Sequence, residues 1–247
     1  MELTFLTRSG LARALAAEFR RSSTRAGVWL SLACVGLVAM LTAAILPGGG
    51  DLAALRSAQA LTATLWPLLP LTAAALSLAQ ERQSGFLALL ASGPVARSQL
   101  LAAKALALIA YLVLGAAALF AGAALGATLT GGIQRPFLLA ATAALSALTL
   151  APMISLGLAC AVFARSPAQA ALAALSLHLL LDTAGNAVGF GNFTHTTLWG
   201  LPFERAQEAL AGLPPAPLSG VSLLAFTAWA LAPLALALAA FRRTNLP

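Results

Sequence analysis

The strongest constraint on this chain is a recurring run of about 20 apolar residues, long enough at 1.5 Å per helical residue to cross a hydrocarbon core of about 30 Å. Such runs cover about residues 27–47, 57–79, 99–127, 137–163, 168–188 and 218–240. Inside lipid the backbone must satisfy its own N–H and C=O groups, so only helices and closed barrels cross. A barrel would show short segments of alternating polarity, and the sequence has none. The expected fold is therefore an all-α membrane protein with six transmembrane helices, residues 1–247 forming one transmembrane domain. Composition agrees: with 60% hydrophobic and 9% charged residues, there is too little charge to clothe a soluble domain of 247 residues.

Residues 3–22 are too polar to span. On a helical projection Leu11, Leu15 and Phe19 form one row, with Arg13 and Arg20 roughly opposite. That pattern predicts an N-terminal amphipathic helix lying in the interface. A secretory leader fits less well, because the run at 27–47 is too long for its apolar region and lacks an A-x-A site. Span 2 contains Trp66, Pro67 and Pro70, and a kink is expected there because proline removes a helix donor. Between spans 5 and 6, residues 189–217 form a longer segment. It predicts one short helix, with Pro202 in its first turn and Phe203, Ala206 and Leu210 on a common side; Pro214 and Pro215 lie beyond its end.

The net charge of +7 does not indicate a nucleic-acid partner, because the arginines flank apolar runs instead of interleaving with aromatics. With both termini inside, Arg8, Arg13, Arg20, Arg21, Arg25, Arg82, Arg97, Lys104, Arg165, Arg242 and Arg243 face the cytoplasm. Only Arg56, Arg135 and Arg205 face outward, as the positive-inside rule requires. The stretch 81–104 is then the first cytoplasmic loop, and 189–217 an outer segment. The richness in alanine and arginine suggests a GC-rich bacterial gene, hence a multi-pass protein of the bacterial cytoplasmic membrane with lipid as its neighbour. Cys34 and Cys160 both fall inside predicted spans, which argues against a disulfide or a thiolate metal site.

The loop itself reads ERQSGFLALLASGPVARSQLLAAK from Glu81 to Lys104. A plain connection needs only a few polar residues. This one has Phe86, Leu87, Leu89 and Leu90 at helical spacing, a Gly85 start and a Gly93-Pro94 stop, and Ser98 is placed to cap span 3. Its apolar face is available either to the interfacial helix of the same chain or to a soluble partner. The order Glu-x-x-x-Gly, apolar run, Gly-Pro-x-x-Arg, apolar pair, Lys resembles the loop of ABC-2-type permeases, the membrane subunits of ATP-binding-cassette exporters. The matching positions are Glu81, Gly85, Leu89, Leu90, Pro94, Arg97 and Lys104, with Arg82 and Phe86 beside them. The order of elements along the chain is similar too. The resemblance implies that this loop is a coupling helix docking on a separate ATPase subunit, that a second copy or a related permease completes the path, and that the outer segment helps cap the exit. The haem-exporter-type permease of cytochrome c maturation is one narrower likeness, but its loop usually lacks an arginine at the position of Arg97. The permease of copper-enzyme maturation has a closer loop, without a copper relay visible here.

Catalytic signatures are absent. A P-loop needs Gly-x-x-x-x-Gly-Lys-[Ser/Thr], and the one lysine lies in AAKAL. The chain is thus expected to be no enzyme and to bind no cofactor, ATP being held by the partner. His178 and Asp182, four residues apart on one face of span 5, are the candidate pathway residues, since ionisable groups at membrane depth are costly. The plainer reading is a His–Asp contact that packs span 5, or an Asp182 that reaches the interface. The rival classes are a membrane-embedded enzyme built on this pair, active without ATP, and an ATP-independent transporter. The latter predicts inverted repeats, which the sequence does not show.

Overall fold

The computed structural model describes residues 10–23, 26–46, 48–64, 67–85, 96–187, 197–214 and 220–243. Among these every regular element is a helix: α1 (Gly10–Ser23), α2 (Ala26–Ile45), α3 (Gly50–Thr64), α4 (Leu68–Gln83), α5 (Arg97–Thr128), α6 (Pro136–Thr149), α7 (Ala151–Phe163), α8 (Pro167–Ala187), α9 (Thr197–Leu210) and α10 (Gly220–Arg243). Four stretches of the described residues are long and apolar enough to cross a membrane: Val28–Ile45, Ser98–Thr128, Pro136–Phe163 and Leu223–Phe241.

Proline decides where the long apolar runs break. The run at 57–79 lies on two helices, α3 and α4, separated at Pro67. Neither is long enough alone to cross about 30 Å, and helical structure extends past the run at both ends, to Gly50 and Gln83. The run at 137–163 divides into α6 and α7 at Leu150, just before the buried Pro152. Pro136 and Pro167 open α6 and α8, where a missing N–H leaves no bond unmade. The cap of α5 differs from expectation. Its N-cap is Ala96, not Ser98, and the Gln99 side chain accepts the Ala96 N–H at 3.2 Å, a capping interaction read backwards from N3.

The 32-residue α5 is the axis of the fold and packs against α1, α2, α3, α6 and α7. Its contact with α2 is a backbone approach: a methyl at Gly122 would overlap the Gly36 carbonyl oxygen, and one at Gly126 the Met40 oxygen. This is the small-xxx-small packing that lets membrane helices gain close van der Waals contact where lipid offers no hydrophobic drive. The α7 helix is buried almost throughout, from Pro152 to Val162, between α4, α8 and α10. The α2 and α10 helices are the least buried of the spanning stretches; Leu30 and Leu224 are 66% and 73% exposed.

Polar contacts gather at the two ends of the bundle. At one end, Gly49 and Gly50 (φ +61° and +51°) reverse the chain against Thr130 and Gly132, a turn that L side chains rarely allow. There the Asp51 carboxylate accepts the backbone N–H groups of Gln134 and Arg135, both at 3.1 Å. Arg135 donates to the Ala209 carbonyl at 2.6 Å and Gln207 to Gln59 at 2.9 Å. These bonds hold α9 over α3 and α6, with Phe203 1% exposed and stacked on Phe120 at 6.0 Å. The α9 helix starts at Thr197, so Pro202 stands inside it and not in its first turn.

Candidate functional site

At the opposite end of the bundle, three separate helices bring four charges together. Glu81 leaves the last turn of α4, Lys104 the second turn of α5, and Glu18 and Arg21 the polar edge of α1. The Lys104 Nζ lies 2.7 Å from Glu81 Oε1 and 3.4 Å from the Glu18 carboxylate, and Arg21 pairs with the same Glu81 oxygen. Glu81 is 3% and Lys104 4% exposed. The apolar row of α1 sets this up: Leu11, Ala14 and Leu15 pack on Leu100 and Ala103, and Phe19 meets Tyr111 at 6.1 Å. Arg13 and Arg20 are left outward.

Each buried charge here needs its partner. Taking an ion out of water costs several kcal/mol after relaxation, recovered only through pairing and hydrogen bonds. Glu81 lies beyond the apolar run that ends near residue 79. Burial pushes its carboxyl above the ordinary glutamate value, against the opposing pull of Lys104. One residue on, Arg82 donates to the carbonyls of Val162 and Ala164 at 3.0 and 3.3 Å. There it satisfies groups that the C-terminus of α7 leaves free.

The node therefore closes both ends of the segment between α4 and α5. Glu81 and Arg82 stand on one side and Lys104 on the other. Gly85, at φ +72°, turns the chain out of α4. Phe86, Leu89, Leu90 and Pro94 lie outside the described residues. For Arg97 the backbone is described, as the first residue of α5.

The sequence decides whose loop this is. A profile of the ABC-2 family transporter protein matches residues 37–246. The chain belongs to that family. It is thus a multi-pass membrane subunit of an ABC transporter rather than an enzyme, and membership implies association with an ABC ATPase. No curated protein matches the chain. In this ABC-2 family chain the matched span includes Glu81, Arg82 and Lys104, while Glu18 and Arg21 precede it.

The candidate pathway pair is separate from the node. His178 is buried and Asp182 half-buried on α8, which packs against α4 and α7; the two are in electrostatic reach of each other. Sequence reasoning placed Glu81 and Lys104 together as brackets of the loop but missed Arg21 and Glu18, which lie 60 and 86 positions from Glu81 and Lys104. It also missed Gly122 and Gly126, although G-x-x-x-G within an apolar run is a signal that could have found them.

Proposed function

We propose that this chain is one permease of an ABC exporter, and that a separate ATPase drives it through residues 86–95. Six spans carry the path: α2, the broken pair α3–α4, α5, the pair α6–α7, α8 and α10, with α1 along the cytoplasmic interface and both termini inside. A second copy or related permease completes the conduit, and α9 covers its outer mouth. Phe86, Leu89 and Leu90 form the docking ridge, Gly85 and Pro94 bound it, and Arg97 lies at its exit.

The observation that carries this reading is the buried Glu81–Lys104 pair at the two ends of the loop. A flexible connection would leave its flanks free to move apart. Here a displacement of the loop reaches α4 and α5 together, α7 through Arg82, and α1 through Glu18 and Arg21. A motor pulling on such a loop moves a block of helices, as alternating access needs. In this orientation eleven of the fourteen cations lie on the cytoplasmic side and only Arg56, Arg135 and Arg205 on the other, as the positive-inside rule asks.

The test is recovery of the motor. Tagged wild-type chain extracted in mild detergent should bring down a P-loop ATPase identified by mass spectrometry. Leu89→Asp/Leu90→Asp should lose it while keeping the helical circular dichroism of the wild type. Undiminished recovery by the double variant would remove the docking role.

A further inference from the structure

A groove on the bundle surface runs from the charged node toward mid-membrane. It encloses about 360 Å³ between α2, α4 and α5, with Leu32, Val35, Leu69, Ala73, Leu108 and Leu112 as its apolar walls. Leu69, Ala73 and Gln80 on α4 are exposed, so it opens sideways. From Leu69 to Gln80 the helix rises about 16 Å, roughly one leaflet of a hydrocarbon core of about 30 Å. At the charged end the groove meets a second space of about 40 Å³, which shares Ser77, Leu108 and Tyr111 and is lined by Glu18, Arg21, Glu81 and Lys104.

One residue lining that small space, Glu81, has an unfinished hydrogen bond. Glu81 Oε1 takes both Lys104 and Arg21, while Oε2 is fully buried with no hydrogen-bond partner among the described residues. A buried carboxylate oxygen left unpaired costs more than an ordinary lost hydrogen bond, so it calls for a donor. The space is large enough for one small head: an ammonium or one water. A neighbouring anion on the same molecule would find Arg21, which lines the same space and is a third exposed.

We propose that the groove binds a glycerophospholipid of the cytoplasmic leaflet bearing a primary ammonium. The ammonium donates to Glu81 Oε2, the phosphate lies against Arg21, and one acyl chain runs along Leu69 and Ala73. The four charges of the node sum to zero, which suits a zwitterionic head over an anionic one. The bound lipid then completes the junction between α1, α4 and α5. This inference does not depend on the ATPase reading, because it concerns the isolated chain.

The experiment uses the full chain, delipidated in detergent, with phosphatidylethanolamine, phosphatidylcholine or phosphatidylglycerol added back and retention read by native mass spectrometry. Phosphatidylcholine keeps the phosphate and chains but has no N–H donor. The expected result is retention of phosphatidylethanolamine about tenfold or more above the other two, the worth of one hydrogen bond to a charged group. Ala73→Trp, which fills the groove without touching a charge, should abolish that retention, and Glu81→Gln should bring phosphatidylethanolamine down to parity with phosphatidylcholine. Equal retention of the three lipids overturns the proposal. So does retention indifferent to Ala73→Trp, or no retained lipid at all, which would leave water in the small space or a second copy over the groove.

Discussion

Replacing Lys104 by Met tests the energetic reading of the charged node. Met keeps the length and bulk of the side chain and removes only its charge and donors. In the wild type, Nζ stands 2.7 Å from Glu81 and 3.4 Å from Glu18. At an effective dielectric of about 20 the gross attractions are about 6 and 5 kcal/mol, most of which offsets desolvation. What the substitution exposes is the unpaid desolvation of Glu81, left with Arg21 alone. Breaking a buried pair from one side costs about 3–5 kcal/mol. At about 2–4 °C per kcal/mol for a chain of this size, the melting temperature should fall by about 6–20 °C, followed by far-ultraviolet circular dichroism in detergent. Adding Glu81→Gln to Lys104→Met removes the stranded carboxylate and should recover at least about 2 kcal/mol, so the double variant is more stable than the single one.

The pH dependence follows from the same physics. Burial raises the Glu81 carboxyl in the folded state, so the folded chain binds that proton more tightly than the unfolded chain does. That contribution is fully present below the ordinary glutamate value and lost as pH rises through the folded one. Without Lys104 the opposing pull is gone, so the deficit of Lys104→Met should shrink on acidification more than any deficit of Glu81→Gln. A fall of less than about 3 °C for Lys104→Met, or single effects that simply add, would mean that Lys104 does not hold Glu81 in its buried site.

Three further outcomes are expected. Gly126→Val should cost more than about 3 kcal/mol by driving α2 from α5, whereas Gly220→Ala, with open space around it, should stay within about 0.5 kcal/mol; thermal unfolding of both reads this. Arg82→Met should cost about 1.5–3 kcal/mol, the worth of hydrogen bonds to a charged group, and it should also lower nucleotide hydrolysis by the copurified ATPase by cutting the link to α7. His178→Ala and Asp182→Asn should leave that hydrolysis within about twofold if the pair serves packing; a tenfold loss in either would place it in the working cycle.

The helices were legible in the sequence because lipid enforces them: an apolar run of spanning length has few other structures open to it. The breaks were legible in part. Pro67 marked the division of the second run, but the division at Leu150 depends on Pro152 inside an otherwise continuous run, and no kink was expected there. The amphipathic row Leu11, Leu15, Phe19 was visible from its spacing, and its packing on Leu100, Ala103 and Tyr111 follows that row. The node was half legible. Glu81 and Lys104 flank one loop and so announce each other, whereas the pairing of Glu18 and Arg21 with them depends on how α1 lies on α5, which no local pattern specifies. Ser98 was a reasonable cap by residue type, yet the chain begins the helix two residues earlier and uses Gln99.

The coupling role is tested most directly by which side of the membrane the loop faces and what covers it. A chain carrying Leu90→Cys in a Cys34→Ser/Cys160→Ser background is labelled with a membrane-impermeant maleimide in oriented vesicles. Labelling is expected from the cytoplasmic face only, with protection when the copurified ATPase is bound. Labelling from the outer face, or labelling indifferent to the ATPase, would contradict the coupling role.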